Sequence, residues 1–252
     1  MSGMAADFAT RIGQLLDAVA ADDRTVAFWW RDDDAVAPGA ELDRMLALAD
    51  AHSVPLALAV IPAGAERALA DRLEPTGDLV VLQHGWAHAN HASEGRKSSE
   101  LGDDRPIGTV LDELSRGHQR LSRMFGSRFL PVVVPPWNRI SDEVAARRAE
   151  AGLPGLSCFK TQDTAGHRLD THVDPIAWRA DRGFIGWDAA VHAIAAEIDR
   201  RAANPTPIGI LTHHLVQDEA TWAFMEALLA VAAHHPAARW PHPADAFGFG
   251  QG

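Results

Sequence analysis

One cysteine, Cys158, is all that this chain of 252 residues carries. An internal disulfide is therefore impossible, and so is any zinc site built from several thiolates; a reducing compartment suits such a sequence. Basic residues are outnumbered, 23 Lys and Arg against 34 Asp and Glu, for a formal net charge of −11. They are also dispersed, with no basic cluster longer than Arg147-Arg148 or Arg200-Arg201. A surface that tracks nucleic-acid phosphates needs clustered cations, so nucleic acid is excluded as a partner. Long apolar runs are missing as well: nothing approaches the roughly 20 residues of a membrane-spanning helix. Residues 1–22 place Phe8, Ile12, Leu15, Leu16 and Val19 at helical spacing, interrupted by Asp7, Arg11 and Asp17. That pattern predicts an amphipathic helix, not the apolar core of an export signal, and the expected location is cytoplasmic. Nucleotide and serine-hydrolase signatures are lacking too. There is no P-loop and no GxGxxG after the first strand, and Gly155-Leu-Ser157-Cys-Phe159 lacks the last glycine of a GxSxG elbow.

What is present is a core and an order. Apolar residues make up 47% of the chain, and no linker or shift of composition divides it, so a single domain over residues 1–252 is expected. Short apolar runs at 26–30, 55–61, 79–83, 129–134 and 207–212 read as strands, with extended pieces near 156–159 and 183–187. Amphipathic stretches at 41–52, 64–73, 107–125, 141–151, 189–202 and 219–233 read as helices. Near-continuous apolar strands alternating with helices predict a parallel sheet covered on both faces. The expected fold is α/β, a distorted seven-stranded (β/α) barrel with parallel strands inside and helices outside; an open doubly wound sheet is the second choice. The glycine-rich tail, 247–252, reads as a frayed end.

Four strands end in reactive chemistry. Trp29-Trp30 runs into Arg31-Asp32-Asp33-Asp34, Leu82-Gln83 into His84-Gly85-Trp86-Ala87-His88, Val133-Val134 into Pro135-Pro136-Trp137-Asn138-Arg139, and Leu211-Thr212 into His213-His214. In parallel α/β folds the carboxyl ends of strands are where a pocket forms, so these ends are expected to converge.

Each signal has a plainer reading. With 13 histidines in 252 positions, spacings like that of His84 and His88 arise about 0.7 times by chance. Position gives this pair its weight: an apolar strand delivers His84, Gly85 permits a sharp turn, and His88 returns to the same side, as imidazole ligands of a metal must. An isolated Asp-Asp-Asp is most often a solvated turn or a helix cap. Three adjacent carboxylates behind a buried aromatic run repel one another unless a cation or a guanidinium such as Arg31 relieves them. One carboxylate and two histidines would hold a zinc-type ion with a position left open, and a neighbouring carboxylate could act as base. Pro135-Pro136-Trp137 is either a rigid strand exit or an aromatic wall beside that ion. Of His213 and His214, ideal strand geometry lets only one face inward. His172, Asp174 and Trp178 form a weaker cluster, as readily a turn as a site. His234-His235 fits a helix end, and Cys158 a small buried apolar residue. The polar loop 90–104, with Lys97 and Glu100, is either a cover over the site or a solvated loop.

Taken together, these motifs resemble the polysaccharide deacetylase superfamily, the NodB-homology fold of carbohydrate esterase family four. In order along the chain, from Arg31 to His214, stand its strand ending in paired aspartates, its His-x-x-x-His, a Pro-aromatic segment and a late Leu-x-His. The resemblance implies a divalent metal, zinc with cobalt or nickel as alternatives, held by Asp34, His84 and His88. It implies Asp33 as the catalytic base, with the register able to slip by one onto Asp32 and Asp33. His213 becomes the catalytic acid, with His214 as the alternative, Leu211 meets the acetyl methyl, and Pro136 and Trp137 line the pocket. The implied reaction is removal of N-acetyl groups from an amino sugar or glycan precursor. Hydrolysis of another non-peptide C–N bond, such as a ureide, and sugar binding without turnover are the alternatives. Two motifs depart from the family. Val134 stands where the third motif carries an arginine, leaving Arg31 or Arg139 as substitutes. The fourth motif, an Asp and a Trp that support the catalytic histidine, is matched only loosely by Asp174 and Trp178.

Overall fold

A computed structural model describes residues 3–160, 166–203 and 205–250. They form two compact units: the described residues of 1–31, 40–56 and 171–243 make the first, and those of 32–39, 57–170 and 244–252 the second.

In the first unit the expected amphipathic helix is α1 (Gly3–Ala21), whose apolar stripe buries Phe8, Ile12, Leu16 and Val19. It packs against α6 (Trp187–Arg200) and α7 (Glu219–Ala232). Phe8 meets Trp187 and Phe224 with ring centroids 5.5 and 5.4 Å apart. Strand β1 (Val26–Ala35) begins here; β6 (Ile208–Thr212) is buried along its whole length, and β7 (Ala238–Arg239) runs parallel to the start of β1, Val26 opposite Ala238. The buried Trp30 indole donates to Thr212 Oγ1 at 2.7 Å. Helix α2 (Ala40–Ala51) completes the unit.

The second unit holds most of β2 (Leu56–Val60), α3 (Arg67–Leu73), β3 (Leu79–His84), α4 (Ile107–Phe125), β4 (Phe129–Val134), α5 (Asp142–Arg147), β5 (Gly155–Leu156) and most of the short α8 (Pro243–Ala246). Its strands lie in the order β5-β4-β3-β2, continuing to β1. Strand β3 pairs with β4 in parallel, placing His84 opposite Val134, and β4 pairs with β5 in parallel. Helix α4 turns Val110, Leu111, Leu114 and Leu121 inward. The first three of these pack with Val133, Val144, Leu153 and Leu156 in one apolar cluster. Among the described residues there are seven strands, alternating with helices and parallel wherever strand register is defined; this is the expected α/β class.

Several boundaries differ from expectation. Strand β1 runs past Trp30 to Ala35, so the aspartates lie within the strand and not beyond it. Charge does not end a strand whose backbone groups find partners, and the Ala35 carbonyl accepts from Ile61 N–H at 3.0 Å. The expected helix at 64–73 begins only at Arg67, after a 3-10 turn over Pro62–Gly64. The one at 141–151 tightens to 3-10 geometry over Arg148–Ala151. The extended piece at 183–187 reduces to a bridge between Phe184 and Ile176, because Trp187 opens α6. The tail is not frayed through Gly250: Phe247 is buried, and Phe249 stacks on His167 at 4.1 Å. Residues 251–252 lie outside the described part. Neither β7 nor α8 was expected; both are too short to show a period.

Candidate functional site

Asp32, Asp33 and Asp34 occupy the last turn-free stretch of β1. Asp32 and Asp33 are buried, while the Asp34 side chain keeps 26% of its surface exposed. Asp34 also adopts φ 76°, a left-handed conformation that leaves the extended course of the strand. Its Oδ1 lies 3.0 Å from His84 Nε2 and 3.4 Å from His88 Nε2.

His84 is the last residue of β3 and is buried at 2% exposure. Its Nδ1 lies 3.0 Å from the carbonyl oxygen of Val134 on the neighbouring strand. A carbonyl can only accept, so Nδ1 carries a proton and Nε2 is the nitrogen turned toward Asp34. Metal-binding histidines are oriented by this kind of backbone partner. His88 follows a turn in which Gly85 and His88 both have positive φ, 56° and 55°. Gly85 is required there: a Cβ would lie 2.0 Å from Glu100 Oε2 and 2.6 Å from Pro136 Cγ. Burial, followed by the repulsion of His84, holds the His88 pKa below that of an ordinary histidine, against opposing pulls from Asp34 and Glu100. This favours the neutral imidazole, the form that ligates.

One ligand atom from each of Asp34, His84 and His88 lies within 4.8 Å of the others, the one such group of His, Cys, Asp or Glu among the described residues. In a tetrahedral site with bonds of about 2.0 Å, ligand atoms stand about 3.3 Å apart. Separations of 3.0 and 3.4 Å and a donor set of two imidazoles and one carboxylate fit a zinc-type ion.

Trp137 forms one wall of this cluster, its ring 4.3 Å from that of His88. It sits in a 3-10 turn, Pro136–Asn138, in which Trp137 and Asn138 both have positive φ. Pro136 is buried beneath it. Arg139 is engaged elsewhere: its Nη1 donates to the Ser98 carbonyl at 2.7 Å, tying the polar loop to the strand exit. Arg31 is fully buried within β1.

The polar loop is not merely solvated; it is hydrogen-bonded within itself and to the turn after β3. Asn90 Oδ1 accepts from Ala92 and Ser99 N–H, and Asp104 binds Ser93 and Arg96. Glu100, 1% exposed, accepts from the backbone N–H groups of Trp86, Ala87 and Ala89. Sequence reasoning placed Glu100 in this loop without its role, since a lone acid in a polar stretch carries no periodicity. The part played by the Val134 carbonyl was invisible for a simpler reason: backbone groups leave no mark in a sequence.

In the first unit, Leu211, His213 and His214 are buried, both histidines included, although strand alternation favoured one. The chain leaves β6 at Thr212, and the His213 carbonyl accepts from Val216 N–H in a turn, so the alternation no longer applies. Trp178 stands edge-on to His213 with ring centroids 4.7 Å apart, and its Nε1 donates to Asp174 Oδ2 at 2.7 Å. The loosely matched Asp and Trp thus touch each other, and the Trp touches this histidine. His172 Nδ1 accepts from Gly209 N–H at 3.0 Å. Cys158 is buried, as expected.

The sequence matches no family model and no curated protein. Its fold does match solved structures. A Mycobacterium smegmatis protein with the provisional name polysaccharide deacetylase aligns with a TM-score of 0.66 at 15% identity, over 89% of this chain and 90% of that one. A family 4 carbohydrate esterase from Streptomyces lividans, solved with acetate, aligns at 0.54 and 15% identity over 83% and 88%. A family 4 acetyl xylan esterase from Clostridium thermocellum, solved with a cobalt ion, aligns at 0.55 and 14% identity over 88% and 90%. The fold is thus the distorted (β/α) barrel of the polysaccharide deacetylases, the one that the motifs resemble.

Proposed function

We propose that this chain is a metal-dependent hydrolase that removes N-acetyl groups from an amino sugar or glycan precursor. The observation that carries the proposal is the meeting of Asp34, His84 and His88 at ligand spacing, from segments some 50 residues apart. The order of the sequence motifs and the likeness to deacetylase and esterase structures support the same reading.

Asp34, His84 and His88 would hold the divalent ion, zinc or alternatively cobalt or nickel. When bound, it supplies Lewis acidity to the amide carbonyl and lowers the pKa of water. Asp33, next to the carboxylate ligand on β1, is proposed to take the proton from the attacking water. A backbone N–H near the Pro136 turn is proposed to face the oxygen that gains charge. His213 is proposed to give a proton to the departing nitrogen as the C–N bond breaks, leaving acetate and a free amine. Its ring is held by Trp178, which Asp174 holds in turn. From the motif resemblance alone, Leu211 is assigned to the acetyl methyl, and Trp137 with Pro136 to the wall beside His88.

The test is acetate release from N-acetylglucosamine and its oligomers by protein reconstituted with zinc or cobalt. Acetate from these substrates, lost in Asp33→Asn, supports the assignment. No acetate from any acetamide removes it. Amine release from a ureide would point to another C–N bond, and tight sugar binding without turnover to a binding protein.

A further inference from the structure

Between the two histidines of the cluster lie only three residues, Gly85, Trp86 and Ala87. They must reverse the chain sharply enough for the second imidazole to face the first. The turn achieves this with left-handed backbone at both Gly85 and His88. A non-glycine residue held at positive φ is costly, and it persists only where its surroundings over-determine it. No element of secondary structure supplies that constraint, because β3 has ended and α4 begins only at Ile107.

Glu100 supplies it. Its carboxylate is buried, and the backbone N–H groups of three residues point at it: Trp86 at 2.9 Å on Oε2, and Ala87 at 2.8 Å and Ala89 at 3.3 Å on Oε1. A buried carboxylate is tolerated only where it is richly hydrogen-bonded, and three converging amides make an anion-binding concavity of the kind that turns form. Both oxygens are used as acceptors, so the site requires a carboxylate. An amide would set its NH2 against at least one donating N–H.

Glu100 is itself fixed from the far side. Its carbonyl oxygen accepts from Arg105 Nη2 at 3.1 Å, and Arg105 pairs with Glu113 at 2.9 Å. The next residue, Leu101, bridges in parallel to Ile140 just beyond the Pro136 turn. The Gly85 position completes the fit, since the space its side chain would occupy is taken by Glu100 Oε2 and Pro136.

We infer that Glu100 is the positioning residue of the second histidine: its carboxylate gathers the 86–89 amides into the turn that brings His88 to Asp34 and His84. The inference rests on the metal reading above only for its functional consequence. The turn itself can be tested without metal.

Cobalt(II) affinity by chelator competition and the visible spectrum of the cobalt protein are measured for the parent, Glu100→Gln and His88→Ala, together with amide exchange of each protein without metal. In the parent, the Trp86, Ala87 and Ala89 amides should resist exchange. In Glu100→Gln they should exchange at least tenfold faster while amides of β3 and β4 stay protected, cobalt affinity should fall about 10- to 100-fold, and the spectrum should shift toward that of His88→Ala. Parental affinity and spectrum in Glu100→Gln would overturn the inference, as would unprotected 86, 87 and 89 amides in the parent; that last measurement decides the matter even if the variant does not fold. A parent that takes up no cobalt yet shows protected amides removes the metal reading and keeps the Glu100-held turn.

Discussion

The Nδ1 of His84 lies 3.0 Å from the carbonyl oxygen of Val134, so a backbone group of one strand sets the tautomer of a side chain on the next. The parallel register that puts His84 opposite Val134 produces this contact. It leaves Nε2 as the nitrogen that faces Asp34. The position where the third motif would carry arginine contributes to this cluster through its backbone.

Purified protein should hold close to one divalent ion per chain, and His84→Ala and Asp34→Ala should lose most of it. Elemental analysis measures this directly. Unchanged metal content in either variant would end the ligand assignment.

Asp33→Asn and His213→Ala should keep the ion and lose turnover by about 10²- to 10⁴-fold each, the usual contribution of a positioned base or acid. Steady-state kinetics beside metal analysis separates this outcome from loss of the ion. Wild-type turnover in either variant would remove that residue from the mechanism.

Gly85→Ala should destabilise the protein by more than about 1 kcal/mol, because alanine is strained at φ 56° and its Cβ would overlap Glu100 and Pro136. Thermal unfolding should show the lowered midpoint. An unchanged midpoint would mean that the turn is looser than described.

Thr212→Val should cost about 1–3 kcal/mol by leaving the buried Trp30 N–H without its acceptor, and Thr212→Ser should cost much less. Urea denaturation of the two variants distinguishes a lost hydrogen bond from a lost methyl group. Equal costs would assign the effect to packing.

Asp218 caps α7, accepting from Thr221 N–H and Oγ1 at 2.7 Å each. Burial pushes its pKa up, but the Thr221, Phe184 and Ala220 donors outweigh it and hold the group below the ordinary aspartate range. A depressed folded pKa stabilises the protein above the unfolded value of about 4, and that contribution is lost as pH falls through the folded pKa. Asp218→Ala should cost about 1 kcal/mol at pH 7, and the gap from the parent should narrow on acidification below pH 4. Unfolding measured across that range reads both effects.

The class of fold and most of the candidate site were legible because both rest on local pattern. Apolar runs of strand length between amphipathic helices leave little choice but a parallel sheet, and reactive residues at strand ends mark one side of it. Helix α4 and strand β4 begin and end where periodicity places them. The aspartates misled at one point, since charge suggests a strand exit whereas β1 continues through them with its backbone paired.

Residue type and order settled which groups are available for chemistry, because ligand and acid-base capacity belong to the side chain itself. Only the fold settled how they are held. The ring of His84 is oriented by a carbonyl 50 residues along the chain, and the turn to His88 is drawn in by the carboxylate of Glu100. Trp178 reaches His213 from 35 positions away. Backbone oxygens and single acids from distant loops have no period and no motif, so their contribution exists only once strand register and loop closure have brought them to hydrogen-bonding distance.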